Sequence, residues 1–447
     1  MAMLRVLLSV SDTPAVVQSA AMAIAPPAGA HPLPAGFVPD ASFAPVPIVH
    51  QAVRQTMAMA FGIAAPAMNT VGPRAYVIRG TIDENDLDRV TQATMTAEGP
   101  RLFADARIEA MPTCGGDPPL GGALDVRRLL GAGRLVQQKM DGADVALAIV
   151  DTGINLDFLQ SKGLQPSLDT HASWTSGPAV VPGQAVLGHG SMCAYDAWLS
   201  APNALLLDHA VLTNVSPGGS AMSGLLSNAI ASYGKLLQLM MLSPDERHFH
   251  SMVVSNSWGM FSGSWDFPVG HPGRYGDNRA HPFNTIVSSL AAAGADILFA
   301  AGNCGPVCPD GRCEQPVPPI FLANSHDDVM CVAGVDTAGA VVGYSSRGPG
   351  VLGNNKPDIA CYTHFLGSEA FGRGTPDSGT SAACPVLAGV VAALRSVYPF
   401  DPARPSRSPA NVRRFLTGSA TGGGVWNPDV GHGIVDTSGF PRAGAIL

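Results

Sequence analysis

Five short aliphatic runs constrain this chain more than anything else in it. Residues 145–150, 204–211, 251–255, 297–301 and 329–335 are largely Val, Ile, Leu, Ala, Met and Phe, with few polar interruptions. A strand with one wet face alternates polar and apolar residues, whereas a run apolar on both parities is buried on both faces. Helical patterns at 220–239, 283–293 and 381–397 fall between or after these runs. Buried strands alternating with helices imply an α/β fold, a mainly parallel sheet with helices on both faces.

Composition supports this and removes several function classes. Apolar residues make up 46% of the 447 and charged residues 13%, about half the usual ~25% charged, so a large core is available and disorder is excluded. The formal net charge of −8 lacks the basic face of a nucleic-acid-binding protein. No stretch of ~18 apolar residues runs free of charge or proline, so no membrane span is expected. Residues 5–10, Arg-Val-Leu-Leu-Ser-Val, read as a strand and not as a secretory core. The absence of a clear signal peptide favours a cytoplasmic over a secreted location. Eight cysteines are too sparse for a disulfide scaffold.

The first part of the chain has a different texture. Residues 11–73 are rich in Ala, Pro and Val, with helical propensity at 49–61 and prolines breaking the rest. Residues 74–110 then read as strand, helix (86–94) and strand (101–108), a small β-α-β unit. Residues 112–122 are turn-rich and read as a linker. The expected organisation is an N-terminal region, 1–115, and a large domain, 120–447.

Four segments of the large domain carry chemistry. Val145-Ala-Leu-Ala-Ile-Val-Asp151-Thr152-Gly153 ends a buried strand on an aspartate, where functional groups gather in such sheets. Gly188-His189-Gly190-Ser191 sets a histidine between two glycines that let the backbone turn tightly. Leu298-Phe-Ala-Ala-Gly302-Asn303 ends another strand on an amide able to donate to a developing oxyanion. Gly379-Thr380-Ser381-Ala382-Ala383-Cys384-Pro385 leads into an apolar helix whose N-terminus favours a nearby anion. Taken singly, each has a plain structural reading: a turn aspartate, a loop histidine, a helix cap.

Together, and in this order, the four segments resemble the subtilisin-like serine proteases, the subtilase family, over residues ~120–447. The resemblance implies a triad of Asp151, His189 and Ser381, with Ser381 as nucleophile, His189 as general base and Asp151 orienting the imidazole. It implies an oxyanion hole from Asn303 and the Ser381 N–H. Ser257, Trp258 and Gly259, in Val253-Val-Ser-Asn-Ser-Trp-Gly, and Gly302 would bind substrate, the first three by strand addition and by walling its pockets. The implied activity is peptide-bond hydrolysis through an acyl-enzyme, on a peptide or protein substrate, with no cofactor or metal. Calcium, common in the family, has no visible acidic ladder here. Residues 74–110 resemble the family's propeptide, whose tail threads the active site. Readings kept beside this one are a transpeptidase or macrocyclase using the same acyl-enzyme, and an inactive protein-binding module.

The remaining histidines and cysteines are expected to be structural. Gly431-His432-Gly433 repeats the histidine pattern but sits in what looks like the terminal strand segment. His248, His250, His271 and His281 read as surface or loop residues. Cys304, Cys308 and Cys313 are too few for a zinc site and suggest a disulfide-tied or compact loop beside Asn303. Cys114 and Cys193 are candidates for tethering the N-terminal segment.

Overall fold

The computed structural model describes residues 2–11, 33–49, 74–95, 99–110, 118–177, 180–213, 222–314, 317–422 and 424–440. The N-terminal part is an antiparallel sheet built on β1 (Met3–Ser11), β2 (Val38–Pro39), β3 (Val46–Val49), β4 (Arg74–Asp83) and β5 (Arg101–Ala104). Its order is β2-β4-β1-β5, with β3 also on β4. Helix α1 (Leu87–Thr94) accompanies it. The run 5–10, read only as a strand, is thus the sheet's centre, paired residue for residue with β4. The β-α-β unit of 74–110 is incomplete without it. The helical reading of 49–61 meets a strand end at Val49, and its remainder lies outside the described residues. Residue 111 and residues 112–117 of the linker, Cys114 among them, also lie outside them.

The strand expected at 101–108 is two. After β5 the chain turns at Asp105-Ala106, and β6 (Arg107–Ala110) leaves the N-terminal sheet altogether. It pairs antiparallel with β11 (Ser223–Leu225) on one edge and β13 (Trp258–Gly259) on the other.

The body of the molecule is an eight-stranded sheet from β7 (Val145–Asp151), β8 (Ser167–Leu168), β9 (Trp174–Thr175), β10 (Leu205–Ala210), β12 (Ser251–Asn256), β14 (Asp296–Ala300), β15 (Met330–Val335) and β16 (Ile359–Tyr362). The order is β16-β15-β14-β12-β7-β10-β8, with β9 on β10, and every pairing is parallel. All seven residues of β7 are buried. Val145, Leu147 and Ile149 belong to one core cluster, and Ala146, Ala148 and Val150 to another. This is the two-faced burial that the unbroken apolar run demanded.

Two helices frame the site. Helix α2 (His189–Trp198) and helix α3 (Leu226–Met241) follow β9 and β11; the latter begins six residues beyond the expected 220 because 223–225 is strand. Helix α4 (Pro282–Ala292) precedes β14. Helix α5 (Thr380–Val397) is buried all round, the signature of a core helix. It is long and apolar enough to cross a bilayer, yet 89% of it is buried inside the protein. Gly389 of α5 lies against the Ala197 carbonyl of α2, where any Cβ would collide. The two helices bearing His189 and Ser381 therefore meet at backbone contact.

Candidate active site

The end of β7 delivers Asp151, 1% exposed. Its Oδ1 accepts the Thr152 N–H at 2.7 Å, which fixes the carboxylate against the next turn. His189 is the first residue of α2, and Gly188 before it offers no side chain to cap the helix. The imidazole Nδ1 lies 2.9 and 3.0 Å from the two Asp151 oxygens. A carboxylate there holds the proton on Nδ1 and leaves Nε2 as the basic nitrogen. Nε2 is buried and makes no hydrogen bond. Gly190 cannot be larger, because a Cβ would strike the Gly153 carbonyl.

Ser381 sits in the first turn of α5, with Gly379 at φ +81° as its N-cap. A glycine cap consumes none of the first-turn N–H groups, so the Ser381 N–H is not committed to a side-chain cap. The helix begins earlier than the motif suggested, and Pro385 lies inside it. Proline there removes the N–H that would bond the carbonyl four residues back. That carbonyl is Ser381's own. It accepts instead from Ser257 Oγ at 3.0 Å and from the Cys193 thiol at 3.6 Å. Ser381 Oγ in this rotamer donates to the Ser257 carbonyl at 3.3 Å. Ser381 is fully buried.

Asn303 is likewise buried. Its Oδ1 accepts from the Thr380 N–H at 2.9 Å and from Thr380 Oγ at 3.1 Å. Those donors fix which end of the amide is oxygen and leave Nδ2 at the opposite corner. Gly302, at φ +109°, donates its N–H to Thr380 Oγ at 3.0 Å and accepts from the Ser346 N–H. Its backbone thus helps to position Asn303.

Trp258 departs from its expected role. Its ring is fully buried, its Nε1 donates to the Val150 carbonyl at 2.9 Å, and it stacks edge-on with Phe299. It is core and walls no pocket. Its backbone does what strand addition requires: Trp258 pairs with Ala110 and Gly259 with Glu109. Ser257 contributes through its hydroxyl, as above.

Other expectations sort cleanly. His432 bonds the Gly424 carbonyl through Nδ1. His248 and His250 are exposed. His271 instead bonds Thr91 Oγ at 3.0 Å, and His281 is fully buried, bonded to the Ala104 carbonyl at 2.9 Å. Both tie the N-terminal sheet to the body. Cys304 and Cys313 form a disulfide. Cys193 is a free, buried thiol, so it tethers nothing. It lies 3.8 Å from both His189 Nδ1 and Asp151 Oδ2, and burial with the neighbouring Asp151 charge pushes the thiol well above its ordinary pKa. Sequence reading missed it, although its place four residues after His189 puts it on the same helix face. Asp151, His189 and Cys193 form the one cluster of metal-capable side chains among the described residues. Its aspartate and histidine are already bonded to each other.

An Asp–His pair at a strand end, facing a serine at the start of a buried helix on a doubly covered parallel sheet, defines an α/β serine hydrolase. The profile of the Subtilase family matches residues 142–433, and the chain belongs to that family. It is similar to the membrane-bound transcription factor site-1 protease of Homo sapiens, 29% identical over 70% of this chain and 26% of the relative. Subtilisin-like protease SBT6.1 of Arabidopsis thaliana is 26% identical over 70% of this chain and 27% of its own length. Serine protease AprX of Bacillus subtilis (strain 168) is 26% identical over 59% of each. The chain thus spans about a quarter of the length of the first two relatives.

Proposed function

We propose that this chain is a serine endopeptidase whose own N-terminal region occupies its substrate cleft. The observation that carries the reading is β6, an extended strand of the chain held antiparallel on both edges, by β11 and β13. Main-chain pairing of this kind binds a peptide with little regard to its sequence. A residue following the one paired with Trp258 comes opposite Ser257, whose carbonyl is 3.3 Å from Ser381 Oγ.

Ser381 Oγ attacks the carbonyl carbon of that residue while its proton passes to His189 Nε2. Asp151 stabilises the imidazolium through Nδ1. The oxyanion is held by the Asn303 amide and the Ser381 N–H. Collapse breaks the C–N bond, the amine leaves with the His189 proton, and water hydrolyses the acyl-enzyme with His189 again as base. Every participating group belongs to the protein or to water, so the reaction calls for no cofactor, and calcium would be structural. The Cys304–Cys313 disulfide supports an oxidising compartment in place of the cytoplasm expected from the N-terminus. Residues 74–110 act as an intramolecular inhibitor that the enzyme can at least partly remove.

A fluorophosphonate probe tests the activity: it labels wild type, and Ser381→Ala and His189→Ala lose labelling and peptide hydrolysis by about 10³-fold or more. Retained turnover in Ser381→Ala overturns the reading. Intact mass of wild type beside Ser381→Ala tests removal. Both chains remaining full length while wild type hydrolyses peptides would make the N-terminal region a permanent part.

A further inference from the structure

We propose that Arg312 makes this cleft selective for peptides with an acidic side chain two residues before the one whose carbonyl is attacked. The inference rests on the reading that β6 takes the substrate's place. In that register the residue in question pairs with Gly259, and in β6 it is Glu109. Glu109 is 1% exposed, a burial that an ionised carboxylate bears only when paired. Its two oxygens are bonded by Arg107 and Arg312. Arg107 is part of the bound strand and leaves with it. Arg312 belongs to the enzyme.

The body holds Arg312 in place for this contact. It lies in the loop after Asn303 that the Cys304–Cys313 disulfide closes. Asp310 accepts from its Nε at 2.9 Å and from Nη2 at 3.2 Å, and the Asp310 N–H is anchored on the Asn303 carbonyl at 2.9 Å. The guanidinium lies over the Phe261 ring, 4.2 Å from its centroid. With one edge clamped, Nη1 is the nitrogen turned to Glu109. Nη2 also donates to the Ala110 carbonyl at 3.2 Å, a contact any peptide offers. Only the carboxylate contact reads sequence. A neutral side chain there forgoes it, and a lysine sets two cations together in a buried place.

The test uses the peptides Arg-Ile-Glu-Ala, Arg-Ile-Gln-Ala and Arg-Ile-Lys-Ala as competitors of a neutral fluorogenic peptide on the full chain. Glu is expected to compete about tenfold better than Gln, and Gln better than Lys. In Arg312→Glu the ranking of Glu and Lys inverts. Glu, Gln and Lys peptides competing alike overturns the role of Arg312 while leaving the register intact. None of the three competing shows instead that β6 does not mark the substrate's place. A second measurement works within the chain. Glu109→Lys raises peptide turnover by loosening β6, and adding Arg312→Glu lowers it again. Simple multiplication of the two single effects also overturns the proposal.

Discussion

The two large sheets of this protein solve the same problem differently. In the parallel sheet the inner strands β7, β12 and β14 send alternate residues to two cores, and the chain's own crossover helices cover both faces. Its central strand β7 is buried along its whole length. The N-terminal sheet has one finished face: Val6, Leu8 and Val10 pack with Ile78, Ile82, Val90 and Phe37. On the other face, Leu7, Val77 and Phe103 join the core cluster of the body, with Tyr233 of α3 and Phe283 and Ile286 of α4. Even the finished face borrows Phe267 from the body. A parallel sheet is completed by the connections that make it, whereas this antiparallel sheet is completed only by docking.

That contrast can be broken at its strong end first. Arg395 of α5 is 1% exposed and donates from Nε and Nη2 to the two oxygens of Asp296 at 2.5 and 2.9 Å. Arg395→Ala leaves the Asp296 carboxylate buried without its cation, and about 4 kcal/mol of stability should be lost. The loss should appear in both sheets, because the N-terminal one has no second face without the body. Denaturant unfolding followed by hydrogen exchange in β1 and in β7 reads this. Protection of β1 surviving the collapse of β7 would show that the N-terminal sheet stands alone.

A smaller and one-sided effect is expected at the docking face. Phe103 packs edge-on against the His281 ring, with centroids 5.4 Å apart. Phe103→Ala should cost about 3 kcal/mol, and the cost should fall on docking. The N-terminal sheet then opens before the body melts, β6 is withdrawn more often, and peptide turnover rises. Unchanged turnover with a uniformly lowered Tm would mean that the two sheets melt as one and that release of β6 is not governed by this face.

The same contrast explains what could be read from the sequence. The parallel sheet announces itself because burial on both faces leaves unbroken apolar runs, and the runs 145–150 and 297–301 end on Asp151 and Asn303. The N-terminal sheet was only half legible. Its centre, β1, pairs with β4 across more than sixty intervening residues, a non-local contact that no local pattern reports. The break at Asp105-Ala106 is short, so two strands serving different sheets read as one. Trp258 was misassigned because an aromatic beside a binding strand reads as a pocket wall until Phe299 and Val150 are seen around it. The bonds of Gly302 to Thr380 and Ser346 depend on distant chain, which no local pattern reports. Cys193 was missed for a related reason: its importance is that β7 brings Asp151 against the same turn of α2.

The weakest effect sits at the seam between the two sheets and concerns pH. Asp105, in the turn between β5 and β6, is buried, and its Oδ1 accepts the Ser227 N–H of α3 at 2.8 Å. Its Oδ2 has no partner. Burial pushes its pKa up to about 6, against the pull of Ser227 and of the more distant Arg79 and Arg5. A carboxyl whose pKa is higher in the docked state contributes stability that is complete below its unfolded value near 4. That contribution is lost as pH rises through about 6. Docking of the N-terminal sheet should therefore weaken between about pH 4 and 7, by roughly 1–3 kcal/mol. The body has its own acid-stabilised carboxyls, Asp208 and Asp377, both also pushed up to about 6 by burial. A whole-chain melting curve would mix the two sheets, so the useful quantity is the difference in exchange protection between β1 and β7. In wild type that difference should widen from pH 5 to pH 8. In Asp105→Asn, which cannot ionise, it should hold constant while the body's own pH dependence persists. A difference that widens equally in Asp105→Asn would place the pH sensitivity of docking on some other group.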